Sequence, residues 1–139
     1  MLLSILNIVP FILFSQNEID KTDVLPNDVR WVTESSEYEH LCIQIYKTAI
    51  LEIRKQDITN NNPFIVMDLD ETVLDNSNYQ IELFLNDEIY NSDSWNKWVK
   101  KELANLVPGA KEFILEYKKN PKARIIYISN RDQKTLNAT

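Results

Sequence analysis

The chain has 139 residues, 44% of them hydrophobic and 26% charged, with a formal net charge of −6. That length suits one domain with an apolar core, and the composition excludes a disordered chain. The acidic balance offers no basic patch to a nucleic-acid polymer. An acidic protein that binds a phosphate ester needs a local cation, and a bound metal is the simplest source. Gly109 is the only glycine, which excludes Gly-rich phosphate loops. The single cysteine, Cys42, excludes an intrachain disulfide and a cysteine-built zinc site.

Residues 1–14 carry no charged side chain. The apolar run is too short to span a bilayer and suits a signal-peptide core. No Lys or Arg precedes it, and a buried first strand or helix is the competing reading. The favoured boundaries are a signal peptide over 1–16 and a polar leader over 17–30, containing Pro26. This predicts export, to the periplasm, the outer envelope or the medium, with no transmembrane anchor after processing.

Ser36 and Glu39 form a capping-box pattern. Tyr38, Leu41, Cys42, Ile45, Ala49 and Ile53 then recur at three- and four-residue steps. They predict one amphipathic helix to about Lys55, and Thr59-Asn60-Asn61-Asn62-Pro63 breaks it. Phe64-Ile65-Val66-Met67 reads as a strand buried on both faces of a parallel sheet. A helical insert over about 76–107 follows. It holds a short helix at 79–85 and a second with Trp95, Trp98, Val99, Glu102 and Leu106 on helical spacing, capped by Ser92 or Asp93. Pro108 opens a further helix, which Asn120-Pro121 ends. Arg124-Ile125-Ile126-Tyr127-Ile128 is a second buried-strand run. Ser129-Asn130-Arg131-Asp132 follows it, with Asp132 capping a last helix from Gln133. Strands alternating with helices predict a parallel α/β sheet with right-handed crossovers. Ligands bind at the carboxyl ends of such strands.

The first strand ends in Asp68-Leu69-Asp70-Glu71-Thr72. Two carboxylates so placed are costly unless compensated, and a divalent cation with oxygen ligands, magnesium, is the natural compensation. Asp68 can then act as an ionised nucleophile on phosphorus. Asp70 can protonate the leaving oxygen and later deprotonate water. An EF-hand starting at Asp68 would need Gly at the position of Val73 and Glu at that of Tyr79, and fails both. Ser129 ends the second strand, where its hydroxyl and the next amide could face Asp68 and hold a phosphate oxygen.

These residues resemble the haloacid dehalogenase (HAD) superfamily: Asp68-Leu69-Asp70-Glu71-Thr72 matches its first motif and Ser129 its second. The chain is similar more narrowly to subfamily IIIB, the class C acid phosphatases and lipoprotein-e-type 5'-nucleotidases. The resemblance runs through Trp31, Ser36-Glu37-Tyr38, Val73-Leu74-Asp75-Asn76-Ser77, Asp93-Ser94-Trp95-Asn96-Lys97-Trp98-Val99, Val107-Pro108-Gly109-Ala110 and Tyr127-Ile128-Ser129-Asn130-Arg131. It implies a Rossmann-like HAD parallel sheet with a helical insert, partial over residues 31–139. It also implies magnesium-dependent hydrolysis of small phosphomonoesters such as nucleotides through an aspartyl-phosphate. Asp68 and Asp70 would be catalytic, and the Asp68 carboxylate and Asp70 main-chain carbonyl would be metal ligands. Ser129, Asn130 and Trp95 would bind substrate, with helix packing an equal reading for Trp95. Self-association as a homodimer stays open. The family's third motif, a Lys, and its fourth, an acidic pair, lie beyond the second, so the resemblance implies a C-terminally truncated domain, itself inactive. The alternative expectation is a truncated, non-catalytic, exported metal-binding or interaction protein.

Overall fold

The structure is a computed structural model that describes residues 24–55 and 62–139. The expected signal peptide and most of the leader lie outside these residues. No helix among the described residues is long and apolar enough to cross a membrane.

The chain order is α1 (Asn27–Glu34), α2 (Ser36–Lys55), β1 (Phe64–Asp68), β2 (Leu74–Asp75), α3 (Ser77–Leu85), α4 (Ser92–Lys101), β3 (Asn105–Leu106), α5 (Ala110–Tyr117) and β4 (Arg124–Ile128). A 3-10 helix, Gln133–Ala138, follows. The expected polar leader is therefore helical from residue 27. Pro26 stands at the α1 N-cap position, and Arg30 and Glu34, one turn apart, pair at 3.2 Å. The α2 cap is Ser35, not Ser36: its Oγ accepts from the Tyr38 amide at 3.2 Å.

β1 and β4 pair in parallel, from Phe64 opposite Arg124 to Asp68 opposite Ile128. Strand alternation divides their side chains between two faces. Ile65, Met67 and Ile125 pack with Tyr46, Ala49, Ile50 and Ile53 of α2 and Phe113 and Ile114 of α5. The opposite face is open: Phe64 and Ile128 are 65% and 59% exposed. The expectation of strands buried on both faces is thus corrected, because among the described residues the helices of this core lie on one face only. A continuous apolar run cannot distinguish these cases, since its composition is the same on either face. The mixed α/β fold with a parallel sheet is as expected.

The insert is closed at its base by an unforeseen antiparallel ladder, Leu74 opposite Leu106 and Asp75 opposite Asn105. Inside it, Tyr79, Leu83, Trp98 and Val99 form a second buried cluster. Asn91 caps α4, accepting from the Ser94 amide at 2.8 Å, in place of Ser92 or Asp93. Asp132 caps the last helix as expected, accepting from the Lys134 amide at 3.1 Å. α5 begins at Ala110 rather than at Pro108, because Gly109 occupies the N-cap position with φ +87°.

The single glycine is required where it stands. A Cβ on Gly109 would lie 3.2 Å from the Ile43 Cα and 3.2 Å from the Tyr46 ring. The left-handed φ adds a cost for any L side chain. Gly109→Ala should therefore destabilise the fold by about 1–3 kcal/mol, read as a lowered midpoint in chemical denaturation. An unchanged midpoint would show that α2 and α5 are not in close contact here.

Candidate active site

The site lies where β1 and β4 end. Asp68 is the last residue of β1, is exposed, and stands opposite Ile128. The chain then turns sharply. The amides of Thr72, Val73 and Leu74 all donate to the Leu69 carbonyl, at 3.3, 2.8 and 2.8 Å, and the Glu71 amide returns to the Leu74 carbonyl at 2.8 Å. Glu71 takes φ +56° to allow it. Leu69 and Val73 are buried in the core and anchor the turn. The Tyr46 hydroxyl donates to the Thr72 carbonyl and ties the turn to α2.

This turn directs Asp70 back over the strand ends. Arg131 meets its carboxylate side-on: Nε donates to both oxygens at 3.1 Å and Nη2 donates to Oδ1 at 2.6 Å. The pair is nearly dry, with the Arg131 side chain 5% and that of Asp70 13% exposed. Ser129 Oγ donates to Asp70 Oδ2 at 3.3 Å and accepts from the Arg131 amide at 3.1 Å. Asn76 Nδ2 donates to Asp70 Oδ1 at 3.0 Å and to Glu71 Oε1 at 3.1 Å. Desolvation pushes the Glu71 carboxyl above its ordinary pKa; the Asn76 hydrogen bond opposes this and the Asp70 charge adds to it.

The residues singled out in the sequence are thus brought to one edge, with different contacts from those expected. Ser129 bonds to Asp70, whereas Asp68 was its expected neighbour. Trp95 is half-buried, edge-on to Tyr79 at 5.2 Å, with the Arg131 guanidinium 5.7 Å from its ring. It both packs the insert and borders the site. Asn130, between Ser129 and Arg131 in sequence, is exposed. Arg131 and Asn76 had no assigned role in the sequence. The missed signal for Arg131 was chemical: it is the only cation in the loop facing a carboxylate that must be compensated. Asp68 and the Asp70 main chain offer only oxygen donors, which fits magnesium. Among the described residues no group of three or more His, Cys, Asp or Glu side chains gathers as a complete metal site.

Residues 7–139 match the family model described as HAD superfamily, subfamily IIIB (acid phosphatase). The chain belongs to subfamily IIIB of the HAD superfamily. Its fold is similar to the class C acid phosphatase from Bacillus anthracis, at 35% identity and a TM-score of 0.72. The tungstate-bound structure of that enzyme matches with the same values. The alignment covers 80% of this chain and 47% of that one, so the chain spans about half the length of the solved structures it matches.

In this subfamily IIIB chain the Arg131–Asp70 pair should be structural as well as local to the site. Arg131→Ala leaves a carboxylate without its cation and should cost about 3 kcal/mol. Combining Arg131→Met with Asp70→Asn should recover most of that loss. Denaturation midpoints of the single and double variants check this; equal losses in both would show that the ion pair is not the source.

Proposed function

We propose that this chain carries the nucleophile-bearing part of a magnesium-dependent acid phosphatase that hydrolyses phosphomonoesters, nucleotides among them, through an aspartyl-phosphate. The observation that carries the reading is an exposed carboxylate, Asp68, at the carboxyl end of a parallel strand, beside a second carboxylate held by Arg131, in a member of subfamily IIIB.

The chemistry follows from what the residues are. An Asp68 oxygen attacks phosphorus as the ester P–O bond breaks, and the leaving oxygen takes a proton from Asp70. In the second step water attacks the aspartyl-phosphate, its proton passes to Asp70, and inorganic phosphate leaves with Asp68 restored. Ser129 and the Asn130 amide are suited to hold phosphate oxygens at the same strand ends. The Asp68 carboxylate and the Asp70 main-chain carbonyl would hold magnesium, whose charge when bound offsets that of the transferring group.

Trp95 is the candidate platform for a nucleobase, because a half-buried indole at the rim of the site presents an aromatic face at little entropic cost. We place the mature protein outside the cytoplasm on account of the uncharged apolar run over residues 1–14. Mass spectrometry of the native protein would read the loss of residues 1–16, and an intact Met1 on cytoplasmic protein would contradict it.

The catalytic reading is checked in the native full-length protein with magnesium. Asp68→Asn should lower turnover of every phosphomonoester by at least about a thousandfold. Trp95→Ala should raise KM for a nucleoside monophosphate and leave glycerol phosphate unaffected. Unchanged turnover in Asp68→Asn would remove the nucleophile assignment, and equal KM changes for both substrates would remove the platform.

A further inference from the structure

Asn76 breaks a local rule. It occupies the N-cap position of α3, where an Asn side chain ordinarily accepts from the first free amides. Here it makes no such bond. The neighbouring Asp75 takes over part of that role, with Oδ1 accepting from the Ser77 amide at 2.8 Å. The Asn76 side chain instead turns inward and is fully buried, at 0% exposure. A capping contribution is forgone, and departures of this kind collect at functional sites.

Its partners determine the orientation of the amide. Trp98 Nε1 donates to Asn76 Oδ1 at 2.9 Å, within the insert. An indole N–H can only donate, so the carbonyl end of the amide must face it. The NH2 end is then directed at Asp70 Oδ1 and Glu71 Oε1, which as carboxylates can only accept. A flipped amide would set N–H against N–H and oxygen against oxygen. The assignment is therefore dictated by chemistry.

We propose that Asn76 is a positioning residue for Asp70, and that Trp98 fixes Asn76, so that the folded insert aims the proton-transferring carboxylate. The inference rests on the reading of Asp68 as nucleophile and Asp70 as proton donor to the leaving oxygen. Arg131 and Ser129 approach Asp70 from the β4 end, whereas Asn76 approaches it from the side of the insert. Without Asn76 the carboxylate keeps its contacts to Arg131 and Ser129 and loses the contact that reaches it from the insert. The Trp98 ring is itself locked, 3% exposed and 6.0 Å from Tyr79. Packing of the α3–α4 pair is thereby transmitted through Asn76 to two carboxyl groups of the acidic loop, Asp70 and Glu71.

The step that depends on the aim of Asp70 is proton delivery as the P–O bond breaks. A poor leaving group such as an alkoxide needs that proton, and a nitrophenolate does not. The experiment measures kcat and KM of the native full-length protein on glycerol phosphate and on 4-nitrophenyl phosphate, with thermal midpoints for each variant. For Asn76→Ala, kcat/KM on glycerol phosphate should fall about a hundredfold, within the range that a positioned general acid contributes. On 4-nitrophenyl phosphate it should fall less than about fivefold, because little proton transfer is required there. KM should move little on either substrate. Trp98→Phe removes the N–H donor while keeping an aromatic ring, and the thermal midpoint registers the accompanying loss of buried volume. It should show the same selectivity at about tenfold, as the unpinned amide samples both orientations. Should Asn76→Ala fail to fold, Trp98→Phe decides alone. Equal losses on the two esters, or no loss on either, would overturn the inference. Asp68→Asn is run alongside: if it is inactive on both esters while the Asn76 and Trp98 variants show no selectivity, the positioning role fails and the nucleophile reading stands. If Asp68→Asn is active, the underlying reading fails instead.

Discussion

A carboxylate at the end of an apolar strand must find a counter-charge, and Asp70 finds Arg131, which lies 61 residues further along the chain. The pair is nearly excluded from water. An ion pair so placed contributes little to net stability but is costly to break, because either partner alone is an uncompensated charge. It therefore acts as a constraint on geometry. It is satisfied only if β4 runs parallel to β1 in the register that sets Ile128 beside Asp68. A slip of one residue would move Arg131 off the carboxylate and turn Ile65 and Met67 away from α2 and α5.

The insert is bound to the same point. Its ladder, Leu74–Asp75 against Asn105–Leu106, starts within four residues of Asp70. The Val107 amide donates to the Val73 carbonyl at 3.0 Å and closes the base further. From there the α3–α4 pair encloses its own apolar cluster and presents Trp95 to Arg131 and Trp98 to Asn76. The two cores, one under the sheet and one in the insert, meet at the carboxylates. That is the arrangement expected of a site in which one unit supplies the reacting groups and the other borders the substrate.

Much of this was legible from residues that act locally. Helix α2, the short helix before Asn86, and strand β4 follow from periodicity and apolar runs. The acidic loop and Ser129 follow from the motif. Cap positions differ by one or two residues because Ser35 and Ser36, or Asn91, Ser92 and Asp93, are all competent caps, and only backbone geometry chooses between them. The first turn of α1, Asn27-Asp28-Val29-Arg30, reads as leader because three of its four residues are polar and Pro26 precedes it. Asn76 and Arg131 are not legible for another reason: Trp98, which orients Asn76, and Asp70, which pairs with Arg131, lie 22 and 61 residues away from them, and no local pattern encodes such pairings. The sequence points to a metal as compensation for the two carboxylates, whereas the Arg131 guanidinium after β4 already supplies part of it for Asp70.

The central claim is that Asp68 is the nucleophile that accepts the phosphoryl group. It is tested most directly by stopping the full-length protein during turnover of a phosphomonoester and mapping the phosphoryl adduct by peptide mass spectrometry. The peptide containing residues 64–74 should carry one acid-stable, base-labile phosphoryl group, localised to Asp68 and absent in Asp68→Asn. An adduct on another residue, or turnover with no adduct under conditions where product forms, would contradict the account.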